Sequence, residues 1–139
     1  MRILVPVDGS EIALRAVRHA VRLTKDRPGT ELHLLNVQLP IPGSAPSFVP
    51  KSAIRDYHLE EGHKALATAE ALLRAEGVDF ESHVARGDPG ETINGYADEK
   101  SCDAIVMGTR GLGSALAALL GSTANAVLRD AKVPVTLVK

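Results

Sequence analysis

Two glycine-bearing stretches hold the residues best suited to chemistry: Gly108-Thr109-Arg110-Gly111 and, after nine intervening residues, Gly121-Ser122-Thr123. Main-chain N–H groups approach a phosphate closely where side chains are absent, and a helix that opens on a Gly-Ser pair presents the positive end of its dipole. The pattern predicts a phosphate site in a loop between a strand and a helix. It also fits a loop whose glycines serve only positive φ or tight packing, and both readings stand at this point. Two commoner phosphate motifs are excluded. Gly108 to Gly113 has the outer spacing of a P-loop, but Ser114-Ala115 stand where Lys-Ser/Thr is required. The dinucleotide fingerprint fails because Gly111-Leu112-Gly113 is not followed two residues later by a third glycine.

Other chemistry is scarce. The five histidines make no metal-ligand spacing with a carboxylate: His19, His58 and His63 fall on predicted helices, His33 and His83 on strands. Each reads as structural or surface. No Ser-His-Asp or Cys-His set stands out, so no nucleophile or general base can be named. Cys102 is the only cysteine, which leaves neither an intramolecular disulfide nor a thiolate cluster and predicts a reduced, inert thiol. Asp8 is the acid that invites a role. It can accept from a ribose hydroxyl or hold a divalent cation bridging phosphates, or simply bond its own turn at Asp8-Gly9.

These groups are positioned by a regular alternation of strand and helix. With 139 residues the chain predicts one domain, 1–139. Ile3–Val7 reads as a buried strand with Pro6 near its end, and Ser10 N-caps a helix whose buried stripe is Ala13, Val17, Ala20 and Val21. Thr24 closes that stripe, while Arg15, Arg18 and Arg22 form a solvated face. Glu31–Val37 is a second strand. Residues 38–52, with four prolines, lack any period and predict a lid or surface excursion. A helix over Lys51–Glu76 buries Ile54, Leu59, Leu66, Ala69 and Leu73, and Gly77 stops it. Val78, Phe80, Ser82 and Val84 alternate with polar partners as an edge strand does. Asp88-Pro89-Gly90-Glu91 caps a helix running to about Lys100, and Ala104–Met107 is the fourth strand. The last helix carries Ala124, Val127, Leu128 and Ala131, with Ser122 or Thr123 as its cap. Val133–Val138 closes the chain, and Pro134 sends that strand to an edge.

Parallel strands joined by helices imply an α/β fold: a five-stranded parallel sheet covered on both faces. A ligand crevice then lies beyond the strand carboxyl ends where strand order reverses, so Asp8 and Gly108 meet if strands one and four are neighbours. Three or four charge-assisted hydrogen bonds of roughly 1.5–3 kcal/mol each would suffice there for micromolar binding, and Arg110 is placed to neutralise a terminal phosphate. A bare apolar edge at 133–138 predicts pairing with a second copy, a homodimer. Net charge is −1; the chain opens on a strand rather than a signal peptide, and Ala115–Leu120 is too short to span a bilayer. These features predict a cytoplasmic protein without membrane insertion or nucleic-acid binding. Residues 51–100 carry eleven acids against six bases, whereas 101–139 carry four bases and two acids, leaving the glycine-rich end mildly basic.

The chain resembles the universal stress protein family. Ile3-Leu4-Val5-Pro6-Val7-Asp8-Gly9-Ser10-Glu11 is similar to that family's first strand and turn, Ile105 to Gly111 to its fourth strand and phosphate loop. Gly121-Ser122-Thr123 completes its ATP pattern and Val133-Pro134-Val135 its closing strand. The resemblance implies sheet order 3-2-1-4-5 in a Rossmann-like, adenine nucleotide alpha hydrolase-like fold, and dimerisation through the last strand. It implies ATP with Mg2+ or Mn2+ bound by Pro6, Val7, Asp8, Val37, Met107, Gly108, Arg110, Gly111, Gly121, Ser122 and Thr123. Asp8 would lie near the ribose and cation, and the Val37 backbone beside adenine. Such proteins act as nucleotide-dependent regulators with at most weak turnover, which leaves room for a regulatory protein partner read through residues 38–52. The alternatives are an interaction module that binds no nucleotide, and a weak phosphotransferase or ATPase.

Overall fold

The computed structural model describes residues 1–41, 48–111 and 120–139. Its elements run β1 (Arg2–Pro6), α1 (Glu11–Asp26), β2 (Glu31–Gln38), α2 (Lys51–Ala75), β3 (Phe80–Arg86), α3 (Pro89–Glu99), β4 (Ala104–Gly108), α4 (Ser122–Asp130) and β5 (Val135–Val138). The five strands form one parallel sheet in the order β3-β2-β1-β4-β5. β1 carries apolar residues on both faces and separates two cores. Ile3 and Val5 pack with α1 and α2; Leu4 packs with α3 and α4 on the other side. The strand order reverses between β1 and β4, which are neighbours as the crevice argument required.

Local signals fix the helix starts. Ser10 Oγ accepts from the Ala13 N–H at 3.1 Å and Asp88 Oδ2 from the Glu91 N–H at 3.1 Å, with Pro89 in the first turn of α3. Gly77 ends the α2 region at φ 67°, a conformation that favours glycine. Arg15, Arg18 and Arg22 are exposed. Pro6 is the last residue of β1, where its missing donor is least costly. Pro134 precedes β5 and accepts from the Ile105 N–H at 2.9 Å, so the final strand begins at Val135 rather than Val133.

Packing corrects several expectations. In α2 the buried stripe is His58, Gly62, Leu66, Ala69 and Leu73; Leu59 is 37% exposed and Ile54 half-buried. The helix is rotated by its closest approach to the sheet. A Cβ at Gly62 would run into Val84 Cγ1, so the glycine sits where α2 touches β3 and carries His58 inward with it. Neither nitrogen of that imidazole has a hydrogen-bond partner among the described residues. Leu128 is 41% exposed because α4 buries only Ala124 and Val127. β3 starts at Phe80 and Ser82 is exposed, as an edge strand covered on one part of its face permits. Residues 42–47, the middle of the proline-rich stretch expected to form a lid or excursion, lie outside the described residues; so do 115–119 of the short apolar run. Among the described residues no helix is long and apolar enough to cross a membrane.

Candidate functional site

The diverging ends of β1 and β4 open a crevice of about 590 Å³. Five segments supply most of its wall, with Ala13 of α1 beside them. The end of β1 supplies Pro6, Val7 and Asp8, and the end of β2 supplies Leu35, Val37 and Leu39. The first turns of α3 contribute Pro89 and Ile93; β4 and the loop after it contribute Met107 to Gly111; the start of α4 contributes Leu120 to Ala124. All eleven residues singled out from the sequence lie on this lining. Leu39, Pro89, Ile93 and Leu120 join them; none bears a chemical signal, and only the topology brings them there.

The glycine end is built for close approach. Gly121 donates its N–H to the Thr109 carbonyl at 2.7 Å and takes the N-cap position of α4 at φ −74°, ψ 168°, with no side-chain cap. The cap is therefore Gly121, not Ser122 or Thr123. The tie to Thr109 starts the helix one residue too early for a Ser122 cap. Ser122, Thr123 and Ala124 then occupy the first turn, whose N–H groups have no intrahelical acceptor. Their open end lines the crevice. Thr109 is itself anchored, donating to the Val138 carbonyl at 2.9 Å. Arg110 is exposed and makes no ion pair among the described residues.

Asp8 faces this end. Its Oδ1 accepts from the Ser10 N–H at 2.9 Å, which is the local turn bond. Its Oδ2 lies where Gly111 comes closest: a Cβ on Gly111 would sit 2.5 Å away. The turn role and the crevice role thus coexist, one on each oxygen. Gly108 has a different reason to be glycine, since a Cβ there would run into Ile12 Cγ2 on α1. Neither Gly108 nor Gly111 adopts a left-handed φ. The opposite wall is apolar and suits a flat ring rather than a charged group.

A polar contact that the sequence reading missed secures the β1 rim. Asn36, 3% exposed, donates from Nδ2 to the Val7 carbonyl at 2.8 Å and accepts from Gln38 Nε2 at 2.7 Å. An amide interrupting the run Leu34-Leu35-Asn36-Val37 was the available signal. Elsewhere, His33 is buried with Nδ1 3.0 Å from the Tyr96 hydroxyl, a structural role as expected. No group of three His, Cys, Asp or Glu side chains among the described residues is arranged to hold a metal ion.

Comparison with known proteins bears on this geometry. The description "Universal stress protein family" matches residues 1–139. The universal stress protein MJ0531 of Methanocaldococcus jannaschii is 31% identical over 138 residues, covering 99% of this chain and 81% of that protein. Among solved structures, an Archaeoglobus fulgidus universal stress protein in complex with dAMP superposes with a TM-score of 0.73 at 27% identity, covering 100% of this chain and 98% of that one. A universal stress protein in complex with cAMP gives a TM-score of 0.74 at 27% identity, over 100% and 97% of the two chains.

Proposed function

The chain belongs to the universal stress protein family, and from that premise we propose that its crevice binds an adenine nucleotide, ATP with Mg2+ or Mn2+, in a homodimeric regulatory protein with at most slow hydrolysis. The observation that carries the reading is the start of α4, which no side chain caps, facing an apolar wall across Asp8. The residues present fit such a ligand. N–H groups and hydroxyls of Ser122 and Thr123, beside Gly111, would hold phosphate oxygens, and Arg110 would meet a terminal phosphate. Asp8 is the one acidic side chain on the lining among the described residues. It would serve the ribose or a cation that takes its remaining ligands from phosphate and water, as Mg2+ commonly does. The cation would supply charge neutralisation between phosphates. Pro6, Val7, Val37, Met107 and Gly108 would flank base and sugar.

The dAMP and cAMP complexes of the relatives support the adenylate part of the proposal; the triphosphate rests on the glycine pattern and Arg110. Slow turnover accords with a lining that, among the described residues, offers no His, Lys or Cys as a base. The dimer rests on β5, an apolar edge strand paired on one side only within the chain, and a regulatory protein partner would read the loaded state. A cytoplasmic location accords with an adenine-nucleotide ligand and a single buried thiol.

The test begins with purified protein, denatured and analysed by ion exchange for released nucleotide, then stripped and titrated calorimetrically with Mg-ATP, ADP and AMP. Saturable binding near one per chain is expected, weakened in Gly121→Val. Unchanged affinity in a folded Gly121→Val protein would remove the α4 start from the site. Absence of binding to any adenine nucleotide would favour an interaction module instead.

A further inference from the structure

Where β1 leaves the sheet, one rung of its ladder with β2 is missing. In a parallel pair the main-chain groups of alternate residues point to the same neighbour. Leu35 faces β1, and its carbonyl accepts from the Val7 N–H at 2.8 Å. The next rung would run from the Val37 N–H to the Val7 carbonyl. That carbonyl is instead taken by Asn36 Nδ2 at 2.8 Å, and the β1–β2 register ends at Pro6↔Leu35. The amide is locked from its other end by Gln38 Nε2 at 2.7 Å. Gln38 is held in turn, its carbonyl accepting from the Gly87 N–H at 3.0 Å. A buried amide in an apolar strand is costly unless both ends are bonded, and here both are.

We infer that Asn36 is a positioning residue: by occupying the Val7 carbonyl it keeps the Val37 peptide out of the ladder and open to the crevice, as a donor–acceptor pair for the edge of a nucleobase. The inference rests on the proposed nucleotide reading and sharpens it. A Val37 N–H that donates and a carbonyl that accepts match adenine, whose N1 accepts and whose 6-amino group donates. A hypoxanthine base presents the reverse order, with an accepting O6 and a donating N1–H. Selectivity for adenine then comes from the main chain of β2, and the side chain that creates it never touches the ligand.

The test compares ATP with inosine triphosphate, which share every phosphate contact, in the wild type and in Asn36→Leu. It also follows the Val37 amide by hydrogen exchange in ligand-free protein. In Asn36→Leu the Val37 N–H closes the missing rung. Its exchange slows, ATP binding weakens about tenfold, the loss of one hydrogen bond, and the preference for ATP over inosine triphosphate shrinks by a similar factor. A purely structural role would lower the urea midpoint and leave that preference unchanged. A folded Asn36→Leu protein with the wild-type preference would therefore overturn the inference, as would a Val37 amide already protected in the wild type. If Asn36→Leu does not fold, Gln38→Ala frees the amide while keeping its donor; a shift of about two- to threefold in the same direction is expected, and none would count against the inference. A wild type that binds neither nucleotide would sink the nucleotide reading alone, and the Val37 exchange comparison would then decide what Asn36 does.

Discussion

Replacing Gly111 by alanine tests whether the Asp8 carboxylate is a working part of the site. The new methyl carbon would stand 2.5 Å from Asp8 Oδ2, about 0.9 Å inside ordinary contact. A carboxylate on a free side chain would swing away at little cost. This one has its other oxygen on the Ser10 N–H at 2.9 Å, in the turn that starts α1. Relief therefore means breaking a charge-assisted bond, worth roughly 1.5–3 kcal/mol, or backing the loop at Gly111 away from Asp8. Backbone conformation adds no penalty, since Gly111 does not use a left-handed φ. Either relaxation separates Asp8 from the start of α4, and Mg-ATP affinity should fall roughly ten- to a hundredfold. Calorimetric titration of wild type, Gly111→Ala and Asp8→Asn, with urea midpoints for each, makes the measurement. The two variants should resemble one another in affinity. A Gly111→Ala protein that is folded and binds Mg-ATP as well as wild type would refute the reasoning.

Three further outcomes are expected. Burial, helped by the charges of Cys102, Glu81 and Glu99, pushes the Tyr96 hydroxyl up to about 12. Because that folded value lies above the ordinary one, the stability it represents is fully present below about pH 10 and is lost as pH rises toward 12. The loss is on the order of 2 kcal/mol, read from urea midpoints, and Tyr96→Phe should abolish that alkaline slope. Gly62→Ala should cost about 1–3 kcal/mol in denaturant unfolding by pushing α2 off Val84, while a distant surface change such as Arg22→Ala stays within about 0.5 kcal/mol. Burial also raises the Cys102 thiol, against a smaller opposing pull from Arg2; thiol reagents should label it only when the protein unfolds, and rapid native labelling near neutral pH would contradict its burial.

The parts of this fold legible from the sequence are those decided by near neighbours. Ser10 and Asp88 cap helices by reaching donors three residues away, so residue type and spacing suffice. Pro6 and Pro134 mark strand limits because a missing N–H acts at its own position. Less legible is whatever depends on the rotation of one element against another. Nothing local distinguishes a stripe through Leu59 from one through His58. Val84, twenty-two residues beyond Gly62, settles it by leaving no room for a Cβ. Leu128 fails for the same reason, since a nine-residue α4 resting on α3 buries only one narrow side.

The site divides along the same line. Its glycine pattern was legible as a pattern, but the reason for each glycine was not. Gly108 is glycine because α1 passes over it at Ile12 and Gly111 because Asp8 lies against it, while Gly121 caps a helix and donates to Thr109 through its main chain. The first is packing, the second joins packing to the site, and the third creates the open helix start. Three glycines of one motif thus answer to three partners far apart in sequence. Asn36 shows the converse. It belongs to no motif, yet it decides where the β1–β2 ladder stops and so which main-chain groups face the crevice. A motif marks where a ligand's phosphates would lie because those contacts come from one loop and the helix it opens. The base edge would be read by a strand peptide whose availability depends on a neighbouring side chain, and such a dependence leaves only a lone polar residue in an apolar run to mark it.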